Sequence, residues 1–186
     1  LVSNAIFAGF YLLLCMFGNW LGAYPDHVTP IWPASGLAVA AVLIAGRTLL
    51  PGLFIAGLAN SLIGGFSLFA SLSVASGALL EAYVAYLLLR PARALSELLG
   101  SYTIPGWIIT SSIFAPILSA FLGIFGQCYL INGAEGEWNS ELWRIWWLSN
   151  AVGIVVFAPV CLYLNKIQLG VHSLLRLIAL ITVSAI

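Results

Sequence analysis

Apolar runs of bilayer-crossing length alternate along this chain with short polar breaks, and the breaks set the predicted elements. A hydrocarbon core of about 30 Å needs about 20 apolar residues in a helix. Asn4 to Tyr24 is the first such run, followed by a loop from Pro25 to Pro30 with a proline at each end. The second run opens at Trp32-Pro33 and reaches about Gly46, which is short for a span. Arg47 marks a tight turn; the third run, Thr48 to Ile63, has Pro51 in its first turn and Asn60 near its far end. Gly64-Gly65 turns the chain into the fourth run, Phe66 to Leu89, after which a polar stretch extends from Arg90 to Thr103. The fifth run begins near Pro105 and ends near Ile131, and the loop from Asn132 to Leu142 carries Glu135, Glu137 and Glu141. The sixth opens at Arg144 and ends near Leu164; a seventh starts around His172 and is cut off at Ile186. The pattern predicts an all-α fold, a polytopic transmembrane helix bundle of about seven spans in a single domain, 1–186.

Composition turns that pattern into a membrane assignment. The 186 residues are 62% hydrophobic and 6% charged, with mean hydropathy +1.10. A soluble domain carries about 25% charged residues, so this chain cannot cover a water-exposed surface, and the lipid bilayer is its first expected partner. The zero formal net charge gives no nucleic-acid footprint. The chain lacks an initiator Met and ends in apolar sequence, so we take it as a fragment of a longer protein; Leu1 to Tyr24 lacks the basic leader of a cleavable signal peptide.

The basic residues orient the bundle. Arg47, Arg90, Arg93, Lys166 and Arg176 fall on one side, whereas the other has only Arg144, against Asp26, Glu135, Glu137 and Glu141. The positive-inside bias puts the N-terminus in the cytoplasm. Trp20, Trp32, Trp138, Trp143, Trp146 and Trp147 then all map to the outer face.

Catalytic and metal chemistry find little support. Cys15, Cys128 and Cys161 lie far apart in apolar surroundings, without the spacing of a disulfide framework or zinc site. His27 and His172 fall on opposite sides of the membrane and cannot share a metal. No nucleophile elbow, zinc-protease motif or phosphate loop occurs. We expect no catalytic residue, no metal and no cofactor.

The informative polar groups lie within the spans, where each costs free energy unless paired. Glu81 is the only acid deep in a run, about 12 Å from the cytoplasmic end at a rise of about 1.5 Å per residue. It is either a structural interhelical hydrogen bond or a ligand or proton contact. A second set gathers at the outer ends: Trp32, Ser35, Asn60, Gln127, Trp146, Trp147 and Asn150. Asn150 shares a helical face with Trp146 and Trp147. This set is either an outward-facing pocket for a ligand or an interfacial aromatic belt with polar contacts between helices. Gly18 to Gly22 is a GxxxG that can dock helices.

The order of the motifs resembles a known family. Ile31-Trp32-Pro33-Ala34-Ser35-Gly36-Leu37-Ala38, then Gly46-Arg47 with Pro51-Gly52, resembles the opening signature of the MASE1 domain, a bacterial integral-membrane sensory domain. Glu81 after Gly77-Ala78-Leu79-Leu80, the stretch Pro116 to Gly123, and Trp146 to Gly153 closing at Ala158-Pro159 are similar to its later spans. The resemblance covers nearly the whole chain. An acidic residue is common in that family where Asn150 stands, which bears on any role needing a charge there. The resemblance implies about eight spans and attachment to a C-terminal cytoplasmic output domain, a histidine kinase or diguanylate cyclase, often through PAS domains. It also implies regulation by a small-molecule ligand or a partner membrane protein, in the bacterial inner membrane; a second copy of the chain is a further candidate partner. In that reading the outer tryptophan–amide set receives the stimulus, while Glu81 with Gly77 holds a bistable helix contact. The alternatives are a small-solute transporter or channel with Glu81 as coupling residue, and a passive anchor.

Overall fold

The computed structural model describes residues 2–22, 29–89, 103–130 and 138–166. These residues are helical, with no strand among them. The described residues form six α-helices in order: α1 Val2–Leu21, α2 Pro33–Ala45, α3 Leu50–Ile63, α4 Leu68–Leu89, α5 Thr103–Leu130 and α6 Ser140–Lys166, with a 3-10 turn, Gly46–Leu49, between α2 and α3.

Local chemistry explains where these helices start and stop. Pro33 and Pro51 stand in the first turns of α2 and α3, where a missing N–H costs nothing. Asn139 caps α6, its Oδ1 accepting from the backbone N–H groups of Glu141 and Leu142 at 3.1 and 3.0 Å. Gly46 and Gly65 adopt φ of 74° and 85°, left-handed values that glycine takes without steric cost, and both sit where the chain turns.

Among the described residues, five stretches are long and apolar enough to cross a membrane: Val2–Leu21, Pro33–Ile63, Leu68–Leu89, Trp107–Gln127 and Ser140–Asn165. The expected seven spans are therefore not confirmed. The seventh run, after His172, lies outside the described residues, as do Asp26, His27, Arg90, Arg93, Glu135, Glu137 and Arg176. By length and apolarity Pro33–Ile63 is one stretch of 31 residues, but it does not run straight. Asn4, at the start of α1, donates to the Thr48 carbonyl at 2.8 Å and accepts from the Gly52 N–H at 2.9 Å. At the other end of α1, the Trp32 ring lies against Gly18, and Asn19 donates to Asn60 at 3.1 Å. Trp32 and Asn60 thus share one end of the bundle and Thr48 the other, so the chain reverses at the 3-10 turn. The two halves have 13 and 14 residues, or about 20 Å each.

α4 packs most extensively on α5, and α2 on α6; α1 lies beside α3. Small residues set the close approaches. A Cβ on Gly36 would overlap the Gly153 carbonyl, and one on Gly153 would overlap the Trp32 carbonyl, so α2 and α6 touch backbone to backbone. The Trp32 N–H seals this contact by donating to the Ser149 carbonyl at 3.1 Å. The GxxxG of α1 works differently from a helix-docking motif: Gly18 seats the Trp32 ring and Gly22 the Thr29 methyl, so it receives the segment that leads into α2. Exposed Phe10, Leu13, Phe17 and Trp20 on α1, with Phe114, Phe121 and Phe125 on α5, form outward apolar faces, as a bundle in lipid requires.

Candidate functional site

At the Trp32 end the helices leave a cavity of about 350 Å³. Six of the expected site residues line it: Trp32, Ser35, Asn60, Gln127, Trp146 and Asn150. They come from α2 and the Trp32 that caps it, α3, α5 and α6. The remaining two are placed elsewhere. Trp147 points to α5, where its indole N–H donates to the Ile113 carbonyl at 2.8 Å. Glu81 sits behind the cavity wall, 3% exposed.

The wall between the cavity and Glu81 is polar. The Asn150 side-chain amide donates to Glu81 Oε2 at 2.7 Å and to Ser119 Oγ at 3.1 Å. The Ser35 and Ser119 hydroxyls also reach the Glu81 carboxyl. Four helices therefore meet at one buried group: α2 through Ser35, α4 through Glu81, α5 through Ser119 and α6 through Asn150. A buried carboxyl short of partners costs several kcal/mol in a low-dielectric interior (about 1–3 kcal/mol for each missing hydrogen bond). Here, among the described residues, every fully buried side-chain nitrogen and oxygen has a partner. Ser35, Ser119 and Asn150 each face the cavity on one side and Glu81 on the other.

The aromatic residues are fixed by glycine notches. Trp146 lies over Gly123 of α5, where an added Cβ would come within 2.6 Å of its ring. Trp32 rests on Gly18, and its indole hydrogen-bonds Tyr11, which in turn contacts Cys15. Gly77, paired with Glu81 in the sequence analysis, faces the Ser119 backbone, with a hypothetical Cβ 3.1 Å from its carbonyl. Its role is to bring α4 and α5 together so that Glu81 and Ser119 meet.

Sequence reasoning missed Ser119, Ser149, Tyr11 and Asn19, all of which line the cavity. Serines within apolar helices commonly bond their own backbone, as Ser111 and Ser112 do here at 2.9 and 2.7 Å. Ser119 carries no local sign that it differs. Asn19, one residue after Gly18 in the GxxxG, was the most legible of the four.

The described residues contain no group of three or more His, Cys, Asp or Glu side chains that could hold a metal ion. No curated protein and no solved structure matches the chain significantly. The family model of MASE1, a membrane-associated sensory input domain rather than a catalytic one, matches residues 2–184, nearly the whole chain, and the chain belongs to that family.

Proposed function

We propose that this domain is the membrane-embedded input of a bacterial signal-transduction protein. The cavity at the Trp32 end receives the stimulus, a small ligand, and the Glu81 cluster converts its occupancy into helix displacement. The bundle sits in the inner membrane with its N-terminus and its C-terminal output domain, a histidine kinase or diguanylate cyclase, in the cytoplasm. Arg47, in the turn beside Thr48, and the alternation of basic residues along the sequence support that orientation.

One observation carries this reading: the side chains of Ser35, Ser119 and Asn150 are shared between the cavity and the buried carboxyl. An occupant that takes a hydrogen bond from any of them changes what Glu81 receives. A ligand shifts a conformational equilibrium only by its differential affinity for the two states. Competition for shared donors supplies such a difference, and α4, α5 and α6 are the helices it would displace.

The test uses the full-length protein in membranes, with output activity as readout. Asn150→Ala and Glu81→Gln should each change the activity level about fivefold or more, the range of a coupling free energy of about 1–3 kcal/mol. Gly9→Ala, whose added Cβ meets nothing within 4 Å, should leave it unchanged. Equal output in all of them, at equal membrane abundance, would overturn the sensory role. A transporter with Glu81 as coupling residue would instead show Glu81-dependent flux in proteoliposomes.

A further inference from the structure

The polar groups of the cavity fall into two sets. Some are already used: Asn150 by Glu81 and Ser119, the Trp32 indole by Tyr11, and Thr29 by the Ile31 carbonyl. Others are not. The Trp146 indole N–H, the Gln127 amide, the Ser149 hydroxyl and the Asn60 Nδ2 make no hydrogen bond to the described residues, and all four residues line the cavity. Unused donors and acceptors converging on one space mark where an occupant, or water, completes the bonding.

No charged side chain lines the cavity among the described residues. A charged ligand leaving water for this space would meet no counter-charge, which is costly. An anion would also lie near the Glu81 carboxyl. A cation would not reach that carboxyl directly, because Asn150, Ser119 and Ser35 cover it and the Asn150 amide already holds Oε2. Asn19 and Ser61, also in the lining, are spent on Asn60 and the Gly57 carbonyl, while Trp32, Trp146, Phe66 and Met16 offer flat or adaptable apolar surfaces. The volume stands near the lower end of ligand sites, which span about 300–1,000 Å³, and suits a molecule of one or two rings.

We infer that the cavity takes a small uncharged planar-ring molecule carrying an amide- or carbonyl-type group, bonded by Gln127, Ser149 and the Trp146 indole. This names the ligand class of the site in Proposed function and rests on that reading of the cavity. The ring lies against the indoles, and its polar group supplies both an acceptor for the Trp146 N–H and partners for the Gln127 amide.

Three near-isosteric probes separate the charge classes: benzamide, benzoate and benzamidinium. Saturation-transfer NMR of each against the full-length protein in lipid nanodiscs, with empty nanodiscs subtracted, reads their binding. Benzamide should bind at least tenfold more tightly than either charged probe, and Gln127→Ala should weaken it about three- to tenfold, the effect of one neutral hydrogen bond. Benzamidinium or benzoate binding as tightly as benzamide would overturn the inference, and so would benzamide binding that neither Gln127→Ala nor Trp146→Phe alters. Absence of binding by all three would leave the space a water- or lipid-filled vestibule and would equally overturn it. The sensory reading is decided separately, by the output of the Asn150 and Glu81 variants.

Discussion

Asn150 donates its side-chain amide to Glu81 across the α4–α6 gap at 2.7 Å, and the two residues are 69 positions apart in the chain. The contact ties the only acid deep in an apolar run to an amide that also walls the cavity. Removing the amide leaves the carboxyl short of a donor. Asn150→Ala should therefore destabilise the bundle by about 1–3 kcal/mol, measured by denaturation in detergent. Glu81→Gln keeps an acceptor for Asn150 and should cost less. A double-mutant cycle between positions 81 and 150 should return a coupling of roughly 0.6–1.7 kcal/mol, the range of interhelical hydrogen bonds in membranes. Strict additivity would mean that the contact is not formed.

The α2–α6 contact makes a steric prediction. Gly36→Ala and Gly153→Ala each place a methyl on the opposing backbone, at the Gly153 and Trp32 carbonyls respectively. Each should destabilise by at least the roughly 1–3 kcal/mol of overpacking, and Gly153→Ala should also break the Trp32 N–H bond to Ser149. Gly9→Ala meets open space and should be neutral or stabilising by up to about 1 kcal/mol, the helix-propensity difference. Thermal melts of the three variants in one detergent check the ranking.

Asn4 pins the 3-10 turn and the start of α3 to α1 through two bonds, one donated to Thr48 and one accepted from Gly52. Asn4→Ala should lose both and cost about 1–3 kcal/mol, at roughly 0.5–1.5 kcal/mol for each net hydrogen bond. Asn4→Asp keeps the acceptor for the Gly52 N–H and loses only the donor. Its melting temperature should fall between those of wild type and Asn4→Ala.

Trp146 occupies the notch at Gly123. Gly123→Ala should push the ring toward the cavity without opening the α4–α5 contact, which depends on Gly77 and Gly126 instead. A changed Trp146 emission maximum, read in a background where other tryptophans are replaced by phenylalanine, would show the displacement. Unchanged emission would mean that the notch does not position the ring.

Much of this architecture could be read from the chain because the cues were local. Prolines at positions 33 and 51, Gly64-Gly65, and the polar breaks bounded the described helices within a few residues. The reversal at Gly46–Leu49 was legible for the same reason, since Gly-Arg interrupts an apolar run. What could not be read was the pairing across helices. Helical spacing groups Asn150 with the aromatic residues of its own helix end and leaves Glu81 a separate, deeper group. Helical spacing shows which residues share a face but not which face meets which. Trp147 shows the same limit: one residue from Trp146, it turns to α5 and leaves the cavity. Ser119 was invisible because a mid-helix serine looks alike whether it bonds its own backbone or a neighbour's carboxyl.

The central claim is that the Glu81 cluster couples the cavity to the output. The most direct measurement is the output activity of the full-length protein carrying Glu81→Gln, in native membranes and normalised to membrane abundance. The account predicts a level shifted about fivefold or more from wild type, with folding intact as judged by the melting temperature. A level equal to wild type would contradict it and leave Glu81 a purely structural contact between helices.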